Sequence, residues 1–166
     1  MRSSEGAYGI IKHQFKTGPA YLLQKNLKWN SVYNFISGHM APVDNQDFMN
    51  TMIREIEEEL SPIKYNKQFD VNYITKRTFE DIAFSERTHE ETSYVFYIFQ
   101  IIFRTPYNEL SFLWQDNRSL NRWFTEKELL DGKGLNKEKI TTFPVLQIIR
   151  FLPNGLKGLP DSFAEH

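Results

Sequence analysis

Cysteine is absent from this chain of 166 residues. The absence excludes disulfide bonds, zinc sites built from thiolates and catalysis by a thiol nucleophile. The four histidines are scattered without the spacing of metal ligands, so each is interpreted as an ordinary core or surface residue. The chemistry of the chain is therefore sought among its carboxylates.

Long apolar segments and an excess of one charge are also missing. No N-terminal stretch resembles a signal peptide, and no stretch reaches the length of a membrane span. The formal net charge is −1, so no broad basic surface favours nucleic acid and no polybasic run favours an anionic membrane. We therefore expect a soluble, cytoplasmic protein without a membrane or nucleic-acid partner.

Hydrophobic and aromatic residues are plentiful. Hydrophobic residues make up 40% of the chain, which contains 14 Phe, 8 Tyr and 3 Trp. The length suits one domain with a sizeable core, and the aromatic content favours strands over a plain helical bundle. The sequence therefore predicts a single domain over residues 1–166.

Three strands are predicted before the first helix. Residues 8–15 and 20–24 are interpreted as strands, with a turn at residues 17–19, where glycine and proline favour one. Residues 33–36 form a short apolar strand. A change of period then predicts an amphipathic helix over residues 48–60, with Asp47 as its N-cap and Pro62 preventing its continuation.

The remaining elements favour an α+β fold. Residues 69–79 form a predicted strand, and residues 94–103 are so continuously apolar that we expect a central strand buried on both faces. A short strand ends at residues 123–124, a capping box at 125–128 opens a short helix, and residues 144–152 predict a final helix. This order indicates an α+β or three-layer sheet protein instead of repeated β-α units.

An acidic cluster lies at the end of the predicted helix 48–60. On a helical wheel of about 100° per residue, Glu59 lies about 40° to one side of Glu55, and Glu58 about 60° to the other. Glu57 is expected to point to solvent. The three convergent carboxylates border the apolar arc and repel one another unless neutralised. A hard cation such as Mg²⁺ or Mn²⁺ takes such oxygen ligands, although an ordinary charged helix face is the alternative.

The stretch from Gly38 to Pro62 resembles the signature of the Nudix hydrolases, G-x5-E-x7-R-E-U-x-E-E-x-G-U, where U is aliphatic. Residues 54–56 (REI) and 58–59 (EE) match its second half, and Gly38 matches its first glycine. The order of elements is also similar, including a Trp-containing strand followed by a helix at residues 122–130 (RWFTEKELL). The resemblance therefore covers most of the chain.

The loop and the helix end depart from the family pattern. Fifteen residues separate Gly38 from Arg54, where the family has thirteen. The first glutamate of the pattern falls on Asp44 when counted from Gly38, and on Gln46 when counted back from Arg54. Residues 61 and 62 are serine and proline instead of a glycine and an aliphatic residue.

The resemblance implies a Nudix-like α/β/α sandwich with a mixed sheet. It implies hydrolysis of a diphosphate bond in a nucleoside diphosphate linked to another group, with Mg²⁺ or Mn²⁺ as the cofactor. The implied metal ligands are Glu55, Glu58 and Glu59. Arg54 would orient one of these carboxylates, and its alternative is an exposed i,i+4 partner of Glu58. Gly38 would let the loop approach the metal or the phosphates, and its alternative is a turn glycine.

Three further residues are candidates through the same resemblance. Asp116, in the loop before the Trp123 strand, is the nearest candidate for the fourth acidic group that the family often has. Trp29 and Phe143 are candidates for contact with the substrate. The alternative for Asp116 is an ordinary loop aspartate. The alternative for Trp29 is an aromatic residue of the core, and that for Phe143 is a simple helix start. Many relatives dimerise, so a homodimer is a further expectation.

Other functions compete with hydrolysis. The altered loop and Ser61 favour a catalytically inactive Nudix-fold module that binds a nucleotide or a protein, whereas the three glutamates argue against it. The isomerase branch of the fold uses a catalytic cysteine, which this chain lacks. A structural protein is the remaining alternative, and metal-dependent turnover distinguishes among these functions.

Overall fold

The computed structural model describes residues 2–27, 32–85, 90–115, 120–132, 143–152 and 154–165. Among these residues the strands are β1 (Arg2–Ile10), β2 (Lys12–Phe15), β3 (Gly18–Asn26), β4 (Val32–Asn34), β5 (Ile36–Gly38), β6 (Phe69–Ser85), β7 (Glu90–Phe103) and β8 (Asn121–Phe124). The α-helices are α1 (Phe48–Glu59), α2 (Tyr107–Leu110), α3 (Glu126–Asp131) and α4 (Phe143–Phe151). Short 3-10 helices cover Pro42–Asp44, Ser111–Leu113 and Leu156–Gly158. Within these ranges no helix is both long enough and apolar enough to cross a membrane.

The described strands form two sheets of four. In the first sheet the order is β5-β1-β7-β6, and β1 pairs with β7 in parallel while the other neighbours are antiparallel. In the second sheet β3 pairs with β2, β4 and β8, always antiparallel. The position of β7 between β1 and β6 confirms the predicted central strand.

The first sheet lies between two helical layers, because side chains along its central strand alternate between two cores. Phe96 and Ile98 pack in the same core as Ile148 of α4. Phe99 and Ile101 pack in the other core, with Met52 and Ile56 of α1 as neighbours. The predicted α/β/α sandwich with a mixed sheet is therefore confirmed.

The chain changes sheet at two positions where one continuous strand was predicted. Residues 8–15 divide at Ile11 into β1 and β2, and residues 33–36 divide at Phe35 into β4 and β5. Both side chains are buried, so the apolar pattern continues through each break and gives no sign of it. The turn predicted at residues 17–19 is one residue earlier, because Gly18, with φ of 129°, already begins β3.

Helix α1 is close to its prediction. Asp47 caps it by accepting a hydrogen bond of 2.9 Å from the backbone N–H of Met49, and Leu60 is its C-cap. Met52 and Ile56 are fully buried. Gly9 of β1 allows α1 to approach the strand closely, because a Cβ on Gly9 would lie 3.0 Å from the sulfur of Met52. The helix is therefore fixed against the first sheet.

Candidate active site

Arg54 joins α1 to the preceding loop through a bidentate ion pair with Asp44. Nε donates to Oδ1 at 2.9 Å, and Nη2 donates to Oδ2 at 3.0 Å. Asp44 is only 2% exposed, and its Oδ2 also accepts from the backbone N–H of Ala41 and from the hydroxyl of Thr51, each at 2.8 Å. Four donors therefore satisfy one buried carboxylate.

This pair sets the charge state of both partners. The hydrogen bonds from the Arg54 side chain, followed by those from Ala41 and Thr51, hold the pKa of Asp44 well below its usual range despite its burial. Asp44 in turn raises the pKa of Arg54. Both groups are therefore charged at neutral pH.

The same pair decides how the stretch from Gly38 to Pro62 is aligned with the Nudix pattern. Asp44, the residue found by counting from Gly38, contacts Arg54, whereas Gln46 is exposed. The two extra residues of the loop are therefore accommodated after Asp44. Asn45 and Gln46 both have positive φ values, 52° and 59°, in a left-handed turn that leads to the N-cap.

Arg54 also contacts two of the predicted metal ligands. Nη1 donates to Oε1 of Glu55 at 3.0 Å and lies 3.5 Å from Oε1 of Glu58. Nη2 donates in addition to the carbonyl of His39 at 3.0 Å. Arg54 thus has the orienting contact with Glu55 and, at a longer distance, the i,i+4 contact with Glu58.

Gly38 makes room for the carboxylate of Glu55. A Cβ on Gly38 would overlap the Oε1 and Cδ atoms of Glu55. Gly38 is the last residue of the edge strand β5, where it pairs with Ala7, so it is not in a turn. The glycine is required for the space that it leaves, and the carboxylate lies directly against the strand.

The environment of Glu55 disfavours its charge. The Glu55 side chain is 14% exposed, and burial is the main cause that raises its pKa. The charges of Glu58 and Glu59 raise it further, while Arg54 opposes them. A cation near these carboxylates would relieve the cost of ionising Glu55.

Glu59 turns toward the second sheet, where it accepts a hydrogen bond of 2.7 Å from Nε2 of Gln24 in β3. Gln24 was not predicted from the sequence. The available signal was its position two residues after Leu22 in a predicted strand, which places both side chains on one face. Its partner lies 35 residues away in the chain and is set by the packing of α1 on the sheets.

Glu57 differs from its expectation. It lies off the acidic stripe that Glu55, Glu58 and Glu59 form along α1, but it does not simply point to solvent. Its Oε2 accepts a hydrogen bond of 3.1 Å from the backbone N–H of Tyr65, and the residue is partly buried. The reason is that the chain turns back beside the helix after Pro62, which places a backbone donor next to this face.

The three predicted metal ligands are on one stripe but do not form a ready-made metal site. Within the described ranges, no three His, Asp or Glu side chains are close enough to hold a metal ion. Glu55 is held by Arg54, and Glu59 is held by Gln24. The carboxylate oxygens suit Mg²⁺ or Mn²⁺ in type, and the exposed side chains of Glu58 and Glu59 would have to rotate toward Glu55 to share one ion.

The other candidates cannot be placed around this stripe. Asp116 and Trp29 lie outside the described residues. Phe143 begins α4, and its side chain lies outside the described part of the structure.

Comparisons with known proteins find similarity in structure but no match in sequence. No protein-family model and no curated protein matches the sequence. NrtR from Shewanella oneidensis superposes with a TM-score of 0.59 and 12% identity, covering 88% of this chain and 60% of that one. This chain therefore spans less than two thirds of the length of NrtR.

Three further solved structures are similar over most of both chains. The Nudix domain of NrtR in complex with ADP ribose has a TM-score of 0.55 and 11% identity, covering 90% of this chain and 86% of that one. The Ap4A hydrolase of C. elegans in a binary complex has a TM-score of 0.57 and 13% identity, covering 93% and 98%. The E. coli dihydroneopterin triphosphate pyrophosphohydrolase has a TM-score of 0.57 and 13% identity, covering 91% and 96%. These likenesses confirm the resemblance predicted from the sequence, and the chain has the Nudix fold.

Proposed function

We propose that this protein is a metal-dependent hydrolase that cleaves a diphosphate bond in a nucleoside diphosphate linked to another group. Mg²⁺ or Mn²⁺ is the proposed cofactor, with Glu55, Glu58 and Glu59 as its ligands. The observation that carries the proposal is the acidic stripe on α1 of a Nudix fold, with Arg54 joining it to Asp44 in the preceding loop.

The electrostatics of the stripe support a cation. A diphosphate is strongly anionic, and a stripe of three bare carboxylates would repel it. Glu55, Glu58 and Glu59 would hold the divalent cation, which would offset their negative charge and supply Lewis-acid chemistry for hydrolysis. The protein's own contribution is to hold the carboxylates: Arg54 orients Glu55, and Gly38 lets that carboxylate lie against β5.

The substrate class is supported by the structural neighbours. Their names refer to ADP ribose, Ap4A and dihydroneopterin triphosphate, which are all phosphorylated small molecules. We propose Gly38, Trp29 and Phe143 as substrate contacts and Asp116 as a further acidic group. The formal net charge of −1 does not favour nucleic acid. A single domain, a homodimer and a cytoplasmic location remain predictions.

A catalytically inactive module that binds a nucleotide or a protein is the second candidate. The observation in its favour is that no three acidic side chains of the described residues are gathered closely enough to hold a metal. The two extra loop residues and Ser61 point the same way. Under this alternative, a nucleotide would bind without being hydrolysed.

A release screen separates the two candidates. Phosphate and nucleotide release would be measured over a panel of nucleoside diphosphate derivatives, with Mg²⁺, with Mn²⁺, and with excess chelator. Turnover that requires the metal supports the hydrolase. Binding of a nucleotide without turnover under all three conditions supports the inactive module instead.

A further inference from the structure

The first sheet carries aromatic side chains that α1 does not cover completely. Phe99 of β7 is buried in the core beneath α1, and Tyr97 projects from the same face because side chains alternate along a strand. Tyr73 of β6 is paired with Phe99, so it lies on this face as well. Tyr73 is 58% exposed, so part of this aromatic surface is open to solvent.

A groove of about 800 Å³ lies over this surface. Four aromatic residues, Phe48, Tyr73, Tyr97 and Phe99, form its apolar lining together with two methionines. Sites for small molecules have cavities of about 300–1,000 Å³, with a mostly apolar lining and a few polar groups. The groove therefore has the size and the lining of a small-molecule site.

The aromatic rings of the groove are held in two pairs. Phe48, the first residue of α1, stacks on Tyr97 with ring centres 3.9 Å apart and planes 12° apart. Tyr73 contacts Phe99 edge to face, with ring centres 5.6 Å apart and planes at 73°. The face of an aromatic ring carries negative potential, so a lining of such rings attracts positive charge.

One cation of the protein already lies against these rings. Nζ of Lys76 on β6 is 5.3 Å from the ring centre of Tyr97, within the distance of about 6 Å that a cation–π contact spans. Lys76 is exposed and its stem is flexible, so a cation from a ligand can replace its ammonium group. The contact shows which charge this surface favours.

Two carboxylates add negative charge to the lining. Glu5 lies two residues before Ala7 on β1, and Ala7 belongs to the core beneath α1, so Glu5 projects toward the same side of the sheet. Asp47 is the N-cap of α1, where its Oδ1 accepts a hydrogen bond from Met49. The described residues that line the groove include no Lys, Arg or His. The lining therefore disfavours phosphates and favours a positively charged ligand.

We propose that this groove is a further binding site, which holds a small organic cation with an apolar body, such as a quaternary ammonium or a protonated amine. The rings contact the apolar groups and attract the charge, and Glu5 and Asp47 strengthen that attraction. The site is separate from the acidic stripe, because Phe48 and Glu59 are about 16 Å apart along the helix axis. It does not depend on the proposed hydrolysis.

The test compares choline with 3,3-dimethylbutan-1-ol, which has the same shape without the charge. Both are titrated into the full chain in excess chelator, so that no metal takes part, and binding is followed by NMR. We expect choline to bind about 3- to 30-fold more tightly than the alcohol and to shift the ring signals of Tyr73 and Tyr97. Equal affinities, no binding of choline, or shifts confined to the acidic stripe would overturn the proposal.

Charge substitutions at exposed positions test the attraction of the groove for cations. We expect Glu5→Gln to weaken choline binding by about 2- to 5-fold, the range of an exposed ion pair. The matched control is Glu109→Gln, because Glu109 is an exposed glutamate outside the groove. Lys76→Met removes a competing cation and should strengthen choline binding by about 2- to 5-fold. Equal effects of the two glutamate substitutions, or no gain in Lys76→Met, would overturn the proposal.

Tyr73→Leu tests the aromatic contact, since leucine keeps an apolar side chain but has no ring. We expect this substitution to weaken choline binding by about 2- to 5-fold and to change the affinity for the alcohol by less than about 2-fold. An equal loss for both ligands would mean that the groove binds through apolar contact alone, which overturns the preference for a cation. Turnover enters none of these measurements, so this inference and the proposed function can fail separately.

Discussion

Replacing Asp44 by asparagine removes the charge from the buried pair with Arg54 while keeping the shape. Three of the four donors point to Oδ2, and the Nε of Arg54 points to Oδ1. Asparagine has one oxygen, so its NH₂ group must face at least one of these donors. Two N–H donors then oppose each other in a site that is 2% exposed.

The expected cost follows from the burial of the two partners. Breaking a buried ion pair by removing one partner typically destabilises a protein by about 3–5 kcal/mol. The Arg54 side chain is 25% exposed, so water compensates part of its lost contact. We therefore expect Asp44→Asn to lower the free energy of unfolding by about 3 kcal/mol, near the lower end of that range.

Urea denaturation at pH 7 measures this cost. We expect a lower urea concentration at the midpoint of unfolding and an unchanged dependence of the unfolding free energy on urea. Asp47→Asn is the matched control, because Asp47 is an exposed aspartate three residues away and asparagine is an equally good N-cap. The control is expected to change the free energy of unfolding by less than about 0.5 kcal/mol. An equal, small effect of both substitutions would refute the argument that the Asp44–Arg54 pair fixes the loop to α1.

Three further predictions follow from the same structure. The folded-state pKa of Asp44 is lowered, so its stabilising contribution is present above the unfolded pKa of about 3.9 and is lost as the pH falls below it; unfolding curves from pH 5 to pH 2 should show a smaller loss of stability for Asp44→Asn than for the wild type. Gly38→Ala should displace the carboxylate of Glu55 and weaken Mn²⁺ binding in a calorimetric titration, and unchanged binding would show that the close contact does not matter. Met52→Ala should lower the free energy of unfolding by about 2–5 kcal/mol in urea, because it opens a cavity between α1 and the first sheet.

The parts of the fold that depend on local patterns could be predicted from the sequence. Helix α1 has a clear period, an N-cap at Asp47 and a stop at Pro62, and β7 has a continuous apolar run. The breaks at Ile11 and Phe35 could not be predicted, because both residues stay buried while the chain crosses between sheets. A change of sheet without a polar or glycine-rich turn leaves no mark in the hydrophobic pattern.

The candidate site shows the same limit. The helical wheel placed Glu55, Glu58 and Glu59 on one stripe, since their relative positions depend only on the geometry of one helix. The contacts that hold them depend on other elements. The sequence allowed two alignments of the Nudix pattern, one of them through Asp44, and the contact of Asp44 with Arg54 decided between them. The contact of Gln24 with Glu59 depends on the packing of two sheets and a helix.

The most direct test of metal-dependent hydrolysis compares two identical substitutions on α1. Kinetics of Glu59→Gln and Glu57→Gln would be measured with Mg²⁺ on a nucleoside diphosphate derivative that the wild-type protein cleaves. We expect Glu59→Gln to lower kcat by about 10²- to 10³-fold, comparable to the loss of one preorganised electrostatic group, with little change in stability. Glu57→Gln should keep its activity, because Glu57 lies off the stripe and its contact with Tyr65 survives with an amide oxygen. Equal activity of the two variants, or full wild-type activity in excess chelator, would contradict the account.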